Sequence, residues 1–364
     1  MRVVVVGTGA MGLAAARVLA ERGHDVVAVD RFGVGNRLAS SSGATRVWRL
    51  ADPDRSIVRL SQRGVGLWRD LERRSGRTVL LEPGLLWRGG LAPDVHTALT
   101  AEGEPAEVVG VAEQERLFPE LRPDADHPVT WTPRAGVLLA AESLAMQAEL
   151  LVRAGGMLVA GERVSAVEPV PGGGVQVVGA RATYAADVAV VAAGPWATEL
   201  LGPLGVDLPL EPVLEQVGYV RGPEGPPHRP CVVQDAASSG SQPLYAMPSP
   251  GSGYKIGLDR PLRDWSAADL ERAPVAERER AIEDLVSTVF PGLEPRLTRS
   301  EVCSWTGSPD DRFVLDRVGD VVIGAGDAGV AFKHSPLIGE ILADLVTGVR
   351  LDADAQQFTL ARFG

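Results

Sequence analysis

Residues 3–6 are four consecutive valines, a run with no polar alternation, as expected of a strand buried on both faces. This run, Arg2–Val6, leads into Gly7-Thr8-Gly9-Ala10-Met11-Gly12. Helical spacing follows over 14–22, and a second strand, Asp25–Asp30, ends in a carboxylate. Apolar residues at Ile57, Leu60, Leu67 and Leu71 make a helical stripe interrupted by two glycines. A helix over 144–153 precedes Met157–Ala160 and, past the Gly172-Gly173-Gly174 turn, residues 175–178, both predicted as strands of a hairpin-rich layer. Residues 187–192 form a buried strand that runs into Ala193-Gly194-Pro195-Trp196, and 221–230, rich in Pro and Gly, predict a loop. Ile282, Leu285, Val286, Val289 and Phe290 repeat at helical spacing until Pro291. The opening pattern then returns, with a strand over 320–323, the turn Gly324-Ala325-Gly326-Asp327-Ala328-Gly329 and a helix over 336–347. Lys333 falls between that turn and that helix. There is no solenoid-type repeat.

A strand, a G-x-G-x-x-G turn, a helix and an acid closing the next strand predict a dinucleotide-binding βαβ unit. Gly7 allows the tight turn, Gly9 lets backbone approach a pyrophosphate, Gly12 lets helix and strand pack closely, and the helix N-terminus meets negative charge. Asp30 is placed to accept hydrogen bonds from a ribose. Two such turns at opposite ends suggest that both termini build one cofactor site, which a simple NAD-type unit does not require.

Composition narrows the chemistry. A net charge of −11 and the absence of a basic run argue against sequence-independent nucleic-acid binding. No apolar stretch approaches the roughly 18 residues that span a bilayer, and no signal peptide precedes the first strand, so a cytoplasmic protein is expected. Cys231 and Cys303 are each to be explained singly, since a chain with a full-sized core needs no disulfide. Of 36 basic side chains only Lys255 and Lys333 are lysine, leaving 34 arginines. In so arginine-rich a chain, these two compact ammonium groups suggest specific chemistry. No His/Cys/Asp/Glu cluster has metal-ligand spacing, and no Ser-His-Asp or G-x-S-x-G pattern suggests a hydrolase.

Four blocks of the chain resemble the FAD-dependent amine oxidases typified by monomeric sarcosine oxidase and N-methyltryptophan oxidase. They are Gly7–Gly12 with Asp30, Ser42-Gly43-Ala44-Thr45-Arg46-Val47-Trp48-Arg49, Gly253-Tyr254-Lys255-Ile256-Gly257, and Cys303 through Pro309-Asp310 to Gly329-Val330-Ala331-Phe332-Lys333. The resemblance implies an α/β fold in which a Rossmann-type FAD-binding domain, discontinuous over 1–80, 143–205 and 301–364, is joined to an α+β substrate domain built on a mixed sheet, 81–142 and 206–300. It implies an FAD site made by Gly7, Gly9, Met11, Gly12, Asp30 and Arg31, by Ser41, Thr45 and Arg46, by Val164, Ala193, Gly194 and Trp196, and by Cys303, Gly326, Gly329 and Lys333. In this family the residue matching Cys303 bonds the flavin 8α-methyl, those matching Arg49 and Lys333 grip the substrate carboxylate, that matching Arg46 lies by the flavin ring, and that matching Lys255 activates dioxygen.

Departures from the pattern bear on the substrate. Asp259 and Trp305 stand where sarcosine oxidase has histidine and tyrosine, and Ser41 and Ser42 replace a histidine pair. The block around Ser42 and Trp48-Arg49-Leu50 looks more like the nikkomycin-pathway oxidase of piperideine-2-carboxylate, which suggests a cyclic or bulky amino acid. Asp259 either holds a second positive group of the substrate or is solvated beside Arg260. Tyr245 and Met247 are candidates for the pocket wall or for ordinary packing. His334 is expected to be a hydrogen-bonded neighbour of Lys333 rather than a base. The resemblance implies a monomeric oxidase of a secondary or cyclic amino acid, using dioxygen and making hydrogen peroxide, with a dehydrogenase that passes electrons to a protein or quinone as the alternative.

Overall fold

The valine strand Arg2–Val6 is the interior of a six-stranded sheet, paired in parallel with Val188–Val191 on one side and Asp25–Asp30 on the other. The order continues outward to Val321–Ala325 and the antiparallel edge Val314–Val318, and at the other edge to Met157–Ala160. Val3, Val4 and Val5 are at most 1% exposed, which is why no polar residue interrupts them. The computed structural model describes residues 1–222, 229–236 and 242–363. Residues 223–228 of the loop expected at 221–230 lie outside them.

The second large sheet has eight strands in the order Leu297–Gly307, Glu211–Val220, Gly253–Leu258, Leu244–Ser249, Cys231–Gln234, Leu85–Arg88, Val129–Thr132 and Glu107–Val108. It is mixed, since Cys231–Gln234 pairs in parallel with Leu85–Arg88 while the other pairs are antiparallel. A small sheet of Thr45–Arg49, Ala135–Leu139 and Leu80–Leu81 carries the arginine block. The α/β architecture matches the reading of the sequence. In the division proposed from the resemblance, Leu297–Gly307 runs continuously across the last boundary, at residue 300.

Three local expectations are corrected. Met157–Ala160 belongs to the parallel sheet, not to a hairpin layer; residues 175–179 instead form a meander with Val164–Pro169 and Thr183–Ala186. The first helix is Ala10–Glu21, because the second half of the glycine turn is already its first turn and Ser41 Oγ accepts the Ala10 N–H at 2.8 Å. The last helix is Ala331–Thr347, so Lys333 lies in its first turn and Pro336 inside it. Pro336 has no N–H to offer the Phe332 carbonyl, a cost of about 3 kcal/mol in a helix interior. Burial against the first helix, where Gly339 packs on Ala14, outweighs it, since each fully buried large apolar side chain contributes roughly 1.5–3 kcal/mol.

Candidate active site

One face of the eight-stranded sheet assembles most of the candidate chemistry. Antiparallel partners project to the same side, so register alone decides which side chains meet. Cys303 stands opposite Glu215 and Trp305 opposite Val213; Tyr219 stands opposite Lys255, which stands opposite Met247; Val217, Gly257 and Tyr245 form the row between. Cys303 and Glu215 lie 88 positions apart in sequence.

This face and the carboxyl end of the parallel sheet enclose a cavity of about 770 Å³. Its parallel-sheet end is lined by Gly7, Gly9, Met11, Asp30 and Arg31, with Ser41, Val164, Ala193, Gly194 and Trp196 beside them, and by Gly326 and Gly329. Gly7 has φ 102°, and a Cβ there would meet the Ala192 carbonyl oxygen at 2.3 Å. Gly12 does not line the cavity: a Cβ would meet the Gly7 carbonyl at 2.1 Å, so it serves helix–strand packing, as expected. The Asp30 carboxylate accepts the N–H groups of Thr8, Phe32 and Gly33 at 2.6–2.8 Å. At the helix N-terminus Gly9 supplies no cap of its own and only the Ala10 N–H is taken, by Ser41 Oγ, so the end can still receive a phosphate. Glycine cradle, helix end, acid and volume fit FAD.

Two arginine–lysine pairs face the same cavity. Arg46 is pinned by the carbonyls of Ser40, Ser42 and Thr45 at 2.6–2.9 Å, and Lys255 Nζ donates to the same Thr45 carbonyl at 3.2 Å. Thr45 itself is buried and does not line the cavity; it enters through its backbone. Burial, then the Arg46 cation, push Lys255 down to about 8, against the opposing pull of Cys303, Glu215 and Glu301. Arg49 bonds the Ala51 carbonyl and the Asp52 carboxylate, the latter at 3.2 Å, and lies over the Trp87 ring at 4.7 Å. Its partner Lys333 is pushed down to about 7 by burial and then by Arg49, with Asp52 opposing. The Trp68 indole holds the Lys333 carbonyl at 2.8 Å.

Asp259 opens on the cavity; its carboxyl is raised by desolvation, then by the Asp311 carboxylate, with Arg49 opposing. Tyr245, Met247, Trp305 and Cys303 also line it. Burial raises the Cys303 thiol to about 11, Glu215 adds to this, and Lys255 and Arg46 oppose it. His334 departs from expectation: it is buried against Phe313, and its Nδ1 has no hydrogen-bond partner among the described residues. The residue missed in the sequence is Glu215. It is 6% exposed, accepts the Tyr245 hydroxyl, and is raised to about 7 by burial. An acid inside the largely apolar run 212–220 was its only signal.

A family model described as FAD dependent oxidoreductase matches residues 2–345. The chain belongs to this family. Within it the protein is sarcosine oxidase-like: it is 31% identical to a monomeric sarcosine oxidase of Streptomyces avermitilis over 94% of this chain and 92% of that one. It is 29% identical to that of a Bacillus strain over 99% and 96%. The solved structure of NikD, an unusual amino acid oxidase essential for nikkomycin biosynthesis, superposes with a TM-score of 0.85 at 28% identity over 98% of this chain and 96% of that one. An L-proline dehydrogenase from P. horikoshii shares the fold, with a TM-score of 0.87 at 20% identity. FAD as cofactor and an α/β FAD-binding fold are thereby established for this oxidoreductase.

Proposed function

We propose that the enzyme oxidises the C–N bond of a secondary or cyclic amino acid, an N-methyl or imino acid, to the imine, and reduces dioxygen to hydrogen peroxide. The carrying observation is the pair of like-charged couples, Arg49 with Lys333 and Arg46 with Lys255, which line one cavity with both lysines buried. Crowding cations in a water-poor site is unfavourable unless an anion enters. Bound along the glycine turns, FAD supplies the two-electron acceptor. Arg49, braced by Asp52 and stacked on Trp87, orients a substrate carboxylate with its forked guanidinium, and the Lys333 ammonium completes the grip. Lys255 holds a positive charge where oxygen is reduced. Cys303, on the same sheet face, is the residue proposed to bond the flavin 8α-methyl. Asp259 and Trp305 shape the far wall, which suits a bulkier amino acid than sarcosine.

A peroxide assay across N-methyl, cyclic and primary amino acids tests this reading. Peroxide formed with the first two groups, and their imine products, are the expected result. Flavin that is reduced by the amino acid but not reoxidised by air would replace the oxidase with the dehydrogenase.

A further inference from the structure

Lys255 is surrounded by groups from four elements. Arg46 and the Thr45 carbonyl come from Thr45–Arg49, Glu301, Arg299 and Cys303 from Leu297–Gly307, Tyr219 and Glu215 from Glu211–Val220, and Tyr245 from Leu244–Ser249. Of the two acids, Glu301 is already matched: Arg299 pairs with it at 3.1 Å and the Tyr219 hydroxyl donates to it at 2.7 Å. The Glu215 carboxylate is bonded, among the described residues, by a neutral group alone, the Tyr245 hydroxyl. That bond spans two strands. Tyr245 stands opposite Gly257, and its ring lies where a Gly257 side chain would be, with the ring carbon Cζ 2.4 Å from an ideal Cβ. Glycine at 257 thus opens the path by which Tyr245 fixes the carboxylate on the cavity face that carries Lys255.

We propose that Glu215 is a positioning residue for Lys255: its carboxylate, fixed by the Tyr245 hydroxyl on the same cavity face, is a negative charge that helps keep the Lys255 side chain an ammonium. Glu301 contributes less than Glu215, because Arg299 and the Tyr219 hydroxyl already engage it. Without Glu215, only Cys303 and the Arg299-paired Glu301 are left to oppose burial and the Arg46 cation at Lys255. The consequence for oxygen chemistry rests on the reading of Lys255 proposed above, but the charge relationship does not.

The test uses the fact that the chain has two lysines. In flavin-loaded protein labelled with [ε-¹³C]lysine, two side-chain resonances are titrated against pH, and Lys255→Met assigns them. In Glu215→Gln the Lys255 midpoint should fall, by at most about one pH unit, since Cys303 and Glu301 remain. Lys333, acted on by Arg49 and Asp52 rather than Glu215, should not move and reports an intact fold. Tyr245→Phe, which removes the bond favouring ionised Glu215, should shift Lys255 in the same direction by less, and it serves as the measurement should Glu215→Gln fail to fold. An unmoved Lys255, or equal shifts of both lysines, overturns the proposal. If the shift occurs and Lys255→Met still reoxidises normally, the oxygen role of Lys255 falls while the charge pair stands.

Discussion

The Tyr245 hydroxyl reaches the Glu215 carboxylate across the backbone of Gly257, a contact made possible by one missing side chain. Gly257→Ala places a methyl within 2.4–2.7 Å of the Tyr245 ring and hydroxyl. Overpacking of this kind costs about 1–3 kcal/mol, and denaturant unfolding should show it. In a Tyr245→Ala background the same change should cost much less, a non-additivity expected of residues in contact. Additive costs would mean that the ring does not occupy that space.

Lys255→Met separates the two half-reactions. Anaerobic flavin reduction should stay near wild type, while reoxidation slows on the order of 10²–10³-fold, the usual effect of losing one preorganised charge. Stopped-flow absorbance reads both steps. Reoxidation within about twofold of wild type, about 0.4 kcal/mol in barrier, would favour an electron acceptor other than oxygen.

The grip proposed for Lys333 should make carboxylate binding depend on pH. With its amine pushed down to about 7, the free enzyme loses this cation as pH rises through 7, so the affinity for a carboxylate inhibitor should weaken above neutrality, with Arg49 holding the remainder. Replacing the carboxylate by an amide should remove the dependence. A flat profile from pH 6 to 9 would take Lys333 out of the grip.

The same residue carries a stability cost. Unfolded, a lysine amine titrates near 10.5, but in the fold Lys333 titrates near 7, so the unfolded chain binds the extra proton between those values. The burial penalty is therefore complete below about 7 and is relieved as pH climbs from 7 toward 10.5. Lys333→Met should raise the Tm at pH 7, by an amount that shrinks at higher pH, while weakening carboxylate selectivity to what Arg49 alone supplies. Thermal unfolding across that range checks both signs.

Attachment of flavin to Cys303 should depend on pH as well, because the thiol is held up at about 11 and the thiolate is the nucleophile. Flavin-free protein mixed with FAD should form a band that fluoresces after denaturing electrophoresis, faster by up to about tenfold per pH unit below 11. Cys303→Ala should show no such band. Flavin fully released by acid from wild type would reject the bond.

Within single elements the sequence was sufficient. An uninterrupted valine run, a glycine turn and a closing Asp30 specify a buried strand, a phosphate-binding helix end and an acid, because each follows from local burial and backbone sterics. The scarcity of lysine pointed to Lys255 and Lys333 for a reason equally local, the choice of one cation over another. Tertiary structure decided what no periodicity contains. Alternation tells which residues of a strand share a face but not which strand lies alongside, so the meeting of Glu215 with Cys303, 88 residues away, and the path of Tyr245 over Gly257 arose only from sheet register. Met157–Ala160 has the same strand pattern in either sheet, and its place beside Asp25–Asp30 goes with the packing of the preceding helix, Ala140–Arg153, on the first helix, not with its own residues. The last helix begins at Ala331 despite Pro336 because packing on the first helix outweighs a local breaker, and that packing brings Lys333 to the cavity.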